Sequence, residues 1–135
     1  MASVFSTDSR DALRTRLEPR IEGTLRTDEM TQALYATDAS MYAMQPIGVL
    51  VPECRADVQA ALEVASDLDV PVLPRGGGSS LAGQGVNTAL VIDFTVHLND
   101  ILEIDPEAQT ARVEPGVTLD DLNRAAAKHG LMVGP

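Results

Sequence analysis

The sequence predicts an α/β fold of the α+β kind: a small three-stranded parallel sheet with a covering helix, then the start of an antiparallel sheet. Three observations predict it. The runs 47–51, 70–74 and 89–94 are short and apolar on both faces, as buried parallel strands are. Between the first two, residues 55–68 carry apolar side chains at helical spacing. After Leu98 the apolar period drops to two, the pattern of half-exposed antiparallel strands.

In chain order, 8–18 reads as a helix with Asp8 as N-cap, Leu13 and Leu17 on one face, and Pro19 behind it. A second helix is expected over 28–36, with Met30, Ala33 and Leu34 on its apolar side. Residues 37–46 read as an irregular connection in which Met41 and Met44 fill core space. The strand 47–51 ends at Pro52. The helix 55–68 presents Val58, Ala61, Leu62, Ala65 and Leu68, and Asp69 turns the chain into the strand 70–74. A glycine-rich loop over 74–85 leads to the strand 89–94. Residues 101–105 and 110–114 form a hairpin around the turn 106–109, ended by Pro115-Gly116. Thr118 and Asp121 have capping-box spacing for a helix that runs to His129, with Gly130 as its C′ residue. An apolar strand is expected at 131–135. The chain divides accordingly into an N-terminal helical segment (1–46), a parallel βαβ unit (47–98) and an antiparallel unit (99–135) that reads as truncated.

The 135 residues include 10 Lys and Arg against 20 Asp and Glu, a net charge of −10. Such a surface repels nucleic-acid phosphates and anionic lipid, which argues against both as partners. Any bound anion must be caught locally, by backbone N–H groups or a placed Arg. Cys54 is the one cysteine, so neither an internal disulfide nor a thiolate cluster is available, and no metal site is expected. No run approaches the roughly 18 apolar residues of a membrane span, so no membrane insertion is expected. An unfinished sheet leaves an open edge, a route to self-association.

Half of the chain's 10 glycines, Gly76, Gly77, Gly78, Gly83 and Gly85, follow one buried strand. Glycines let the backbone take φ > 0 and let a ligand approach closely. Successive N–H groups then form a nest for phosphate oxygens. Ser79 and Ser80 add hydroxyls, and Arg75 is the loop's cation. A Walker A loop is excluded because Gln84 stands where the Lys must be. A Rossmann fingerprint is disfavoured because Leu81 fills the third glycine position and a strand follows. A flexible surface loop would mix its glycines with Asp, Asn and Lys. His129 reads as a helix-terminal cation, His97 as a turn residue, Cys54 as structural, and Asp120-Asp121 as a helix first turn. Tyr35 and Asp38 read as structural hydrogen-bonding residues. No residue of this chain is assigned a catalytic role.

The segments YATDASMYAMQPIGVLVP (35–52), VPVLPRGGGSSLAGQG (70–85), LVIDFTVHLNDILEIDPE (90–107), VEPGVTLDDLN (113–123) and HGLMVGP (129–135) carry a resemblance. The chain resembles the FAD-linked oxidases with the vanillyl-alcohol-oxidase (PCMH) type FAD domain. Within that family it is most similar to the glycolate oxidase subunit and D-lactate dehydrogenase branch, and to its long members fused to an iron–sulfur module. The resemblance covers roughly 35–135. It implies that the loop wraps the FAD pyrophosphate through Pro74, Arg75, Gly76, Gly77, Gly78, Ser79, Ser80, Gly83 and Gln84, and that Pro135 belongs to a second FAD-contacting stretch. Ser79 stands where some relatives carry a His joined to the flavin, which implies non-covalent FAD. The implied reaction of the full-length protein oxidises a D-2-hydroxy acid of the lactate, glycolate or 2-hydroxyglutarate class. Hydride leaves the α-carbon for flavin N5 while a base takes the hydroxyl proton, and the electrons pass to an iron–sulfur or quinone acceptor. The family's base and substrate residues follow later in the chain, so this stretch alone is expected to be inactive. The implied location is the cytoplasm, with contact to the inner membrane only through an electron-accepting partner. The residues by themselves leave one alternative open, a free-standing nucleotide- or phosphate-binding module without catalysis.

Overall fold

Val, Leu and Ile crowd the runs at 47–51 and 89–94, and such runs are stable only with both faces covered. In the computed structural model, which describes residues 7–134, they form the inner strands of a mixed sheet. β2 (Gly48–Val51) pairs in parallel with β4 (Leu90–Asp93), and β3 (Val72–Arg75) pairs in parallel with the other edge of β4. Val49 and Leu73 both stand opposite Val91. All four residues of β4 are buried. The parallel trio is the expected one. A fourth strand, β1 (Thr24–Arg26), joins β2 antiparallel and gives the order β1-β2-β4-β3.

Parallel neighbours need a connection of a dozen or more residues. α3 (Arg55–Asp67) makes the crossover from β2 to β3. The stretch 76–89, which contains the glycine loop and no helix, makes the crossover from β3 to β4. α3 buries Ala60, Ala61, Val64 and Ala65 against Leu50, Leu90 and Ile92 of the sheet. Leu13 and Leu17 of α1 (Thr7–Leu17) close the same core and are fully buried. α1 already includes Thr7, so Asp8 sits within its first turn and is not the N-cap. Leu62, expected inward, is 51% exposed, because the buried stripe of α3 is centred one residue earlier and includes Asp57.

Two expectations before the sheet are reversed. α2 (Glu29–Leu34), capped by Asp28, turns Thr31 and Gln32 inward and leaves Met30 and Leu34 exposed. A buried strand end needs backbone partners. Gln32 supplies one, its Nε2 donating to Ile47 O at 2.9 Å while its Oε1 accepts from Gln45 Nε2. Met41 and Met44 are likewise exposed rather than core.

The hairpin of β5 (Ile101–Asp105) and β6 (Thr110–Val113) forms its own two-stranded sheet. Its turn is held by Asp105 Oδ1, which accepts from Glu107 N and Ala108 N. α4 (Leu119–Ala126) follows, with Thr118 accepting from Asp121 N as N-cap. A 3-10 turn at Ala127–His129 ends on Gly130 at φ +70°, the left-handed C-terminal glycine expected there. The strand expected at 131–135 does not form within the described residues. Residues 131–134 have no ladder partner there, and Val133 N donates instead to Asn123 Oδ1. Among the described residues no helix is long and apolar enough to cross a membrane.

Candidate functional site

β3 and β4 run side by side and end together, with Arg75 paired to Asp93. Open α/β sheets bind ligands at the carboxyl ends of their strands. Here the chain leaves β3 as the glycine loop and leaves β4 as the turn 94–98. The loop's shape is set by a few positions. Gly78 (φ +66°) and Gly83 (φ +82°) are left-handed, a conformation that favours glycine. Gly76 and Gly77 are not.

A strap formed by residues 35–43 supports the loop. Ala39 N donates to Gly78 O at 2.9 Å, and Asp38 Oδ2 accepts from Gly85 N at 3.0 Å. The Tyr42 ring lies against Gly83, where a β-carbon would meet it at 2.8 Å. Arg75 crosses beneath the loop. Its Nη1 donates to Gly85 O at 2.8 Å and to Tyr35 O at 3.3 Å, and its Nη2 donates to Thr37 O at 2.9 Å. Its guanidinium stands 5.2 Å from the centroid of the Tyr35 ring. Tyr35 in turn donates its hydroxyl to Asp93 Oδ2, and Asp93 Oδ1 accepts from both the amide and the hydroxyl of Thr95. Burial, then the bond to Asp93, pushes the Tyr35 hydroxyl up to about 12. The hydroxyl and amide of Ser40 hold the Asp38 carboxyl below the usual carboxylate range, helped by Gly85 N. The structural roles expected for Tyr35 and Asp38 are the ones these bonds show.

Two concavities result. The loop borders one of about 230 Å³, lined by Pro74, Arg75, Gly76, Gly77, Gly78, Ser79, Ser80, Gln84 and Gly85. Gly85 joins the residues expected to contact FAD in this lining, and Gly83, also expected, is absent from it and is backed by Tyr42. Ser80 Oγ donates to Gln84 Oε1 at 2.7 Å and ties the loop across its neck. Pro135 lies outside the described residues. The second is an open cleft of about 630 Å³ with Gly76, Gly77 and Ser79 on the loop side and Thr95 and Asn99 among its lining residues. Its facing wall is Pro115, Gly116, Val117, Thr118, Leu119 and Asp121.

The facing wall was not found as a site from sequence. Its signal is Gly116. A β-carbon there would lie 2.1 Å from Phe94 O and 2.7 Å from Leu98 O, and Gly116 N donates to Leu98 O. This glycine locks the hairpin unit onto the turn after β4. Gly76 and Gly77 pose the opposite case. Neither takes a left-handed φ, and no other described residue comes within 4 Å of where a β-carbon would sit. Nothing among the described residues requires glycine at these two positions.

His97 is exposed in the turn 94–98, and His129 is exposed in the last turn before Gly130. Cys54 is a half-exposed free thiol at the start of α3. Among the described residues no group of three or more His, Cys, Asp or Glu is placed to hold a metal.

Residues 46–135 match the family described as FAD binding domain. The chain is 34% identical over 116 residues to D-2-hydroxyglutarate dehydrogenase of Pseudomonas putida, covering 84% of this chain and 12% of that protein. It is 39% identical over 105 residues to the glycolate oxidase subunit of Bacillus subtilis, covering 76% of this chain and 22% of that one. A solved structure, 4-ethylphenol oxidase from Gulosibacter chungangensis, superposes with a TM-score of 0.77 at 23% identity, over 100% of this chain and 28% of that chain. The chain therefore spans between about an eighth and a quarter of these proteins.

Proposed function

The chain belongs to the FAD binding domain family, and from that premise we propose that it is the FAD-cradling part of an oxidoreductase acting on a D-2-hydroxy acid. The observation that carries the reading is the pair Gly76 and Gly77, which no other described residue obliges to be glycine and which line both concavities with bare backbone that a ligand can approach closely. Gly76, Gly77, Gly78 and Ser79 face the pyrophosphate with backbone N–H groups and a hydroxyl. Ser80, Gly83 and Gln84 hold the loop's return, and Pro74 and Arg75 hold its stem. Pro135 is assigned to a further contact stretch. Ser79 offers no group for a bond to the flavin, so the FAD is held non-covalently. When bound, FAD supplies the electron-accepting chemistry, and the protein supplies position and shelter. The relatives from Pseudomonas putida and Bacillus subtilis act on D-2-hydroxyglutarate and glycolate by name, which supports the substrate class. The groups that bind the acid and accept its proton are assigned to the part of such a protein that this chain does not cover. So is the passage of electrons to an iron–sulfur or quinone acceptor.

The test uses Gly76→Ala and Gly77→Ala. With compatible φ and open space, alanine leaves stability unchanged or raises it by up to about 1 kcal/mol. The same methyl stands where the pyrophosphate would rest, so FAD affinity falls about tenfold or more, a loss of at least ~1.4 kcal/mol. Flavin fluorescence titration and urea denaturation read the two effects. FAD binding that ignores both substitutions sinks the reading.

A further inference from the structure

We infer that Arg75 is a positioning residue: it shapes the glycine loop from beneath for the FAD pyrophosphate and does not itself bind the phosphate. The inference rests on the FAD-cradling reading above. Arg75 is the one cation lining the loop concavity, and simple electrostatics would aim it at an anion. Its guanidinium is committed to the chain instead. It donates to the carbonyls of Gly85, Tyr35 and Thr37, which lie on two separate segments. Only a planar fork with fixed donor directions meets three such acceptors, and a lysine ammonium is not shaped for it. The same group stacks on the Tyr35 ring.

The guanidinium also fills the space beside the left-handed turn at Gly78. A β-carbon at Gly78 would lie 2.5 Å from Arg75 Nη2. Gly78 is left-handed and its carbonyl is held by Ala39 N. Arginine and strap thus define the turn from one side, while Gly76 and Gly77 stay open. The hydroxyl of Tyr35 carries the contact on to Asp93, so the loop is tied back to the end of β4. The phosphate is left to backbone N–H groups and Ser79. That suits a chain of net charge −10 whose larger cleft has no Lys or Arg among its lining residues.

The test is an FAD titration of the wild-type protein, Arg75→Lys and Arg75→Met. Thermolysin digestion without FAD and NMR of the arginine side chains accompany it. Both variants lose the fork, so both are expected to weaken FAD about tenfold or more, within about threefold of each other. Both are also cut faster by thermolysin beside the exposed Leu81 than the wild type is. In the wild-type protein FAD shifts the amides of Gly76 and Gly77 and leaves the Arg75 Nε–H resonance in place. Arg75→Lys binding like wild type, whether or not Arg75→Met does, overturns the inference and leaves the FAD reading standing. So does an Arg75 resonance that shifts as far as the amides. If both variants unfold, the wild-type NMR comparison decides alone. If the wild-type protein binds no FAD, the proposed function fails and this inference fails with it.

Discussion

Asp57 is a carboxylate with 1% of its surface exposed, and it accepts N–H groups from Glu22, Gly23, Glu53 and Cys54 at 2.8 to 3.4 Å. Burial alone would raise its pKa, but the four amides outweigh burial and lower it. A carboxylate depressed in the folded state adds stability that is full above the unfolded value of about 4 and is lost as pH falls through the folded value. Asp57→Asn is therefore expected to cost about 2–4 kcal/mol at pH 7. In urea denaturation the variant's acid-side loss of stability should also be smaller than the wild type's. Tyr35 has the opposite sign. Its pKa is raised to about 12, so its contribution is full below the unfolded value of about 10 and is lost as pH rises through the folded one. Tyrosine absorbance should show one of the two tyrosines ionising near 12, and Tyr35→Phe should remove that step and reduce the loss of stability on the alkaline side. The surface ion pairs Arg16–Asp67 and Arg20–Glu63 are roughly half exposed. Replacing Arg16 or Arg20 by Ala is expected to cost less than about 1 kcal/mol.

Elements differ in how plainly they announce themselves. β2, β3 and β4 were legible because short continuous apolar runs mark strands buried on both faces, and α3 because its Val, Ala and Leu recur at helical spacing. The glycine loop was legible because five glycines behind a buried strand have few other uses. α2 was located but its face was inverted. A Gln that serves a strand-end carbonyl looks, in sequence, like any surface Gln, and the exposed Met30 and Leu34 look like core. β1 was missed because three residues are too few for a period and its partner lies more than twenty positions away. The second wall of the cleft was missed for a related reason, since Gly116 matters through contact with Phe94 and Leu98. Gly116→Ala is expected to cost about 1–3 kcal/mol through that overlap. It should weaken FAD binding as well, because the wall moves. Thermal melts with and without FAD separate this double effect from the single effect of Gly76→Ala.

Taken whole, the molecule is one core with a hairpin unit set against its carboxyl end. The stretch before residue 46 is part of that core. Leu13 and Leu17 of α1 are fully buried in it, and β1 completes the sheet. The family match, by contrast, begins at residue 46. The strap at 35–43 falls on the far side of that line, and it holds the Tyr35 and Thr37 carbonyls, the Asp38 carboxylate and the Ala39 amide that grip the loop. A chain cut where the recognisable stretch starts would keep every glycine of the loop and lose the scaffold that bends them. The cradle is thus not a portable motif: its recipe is written in the loop, and its mould is written some forty residues earlier.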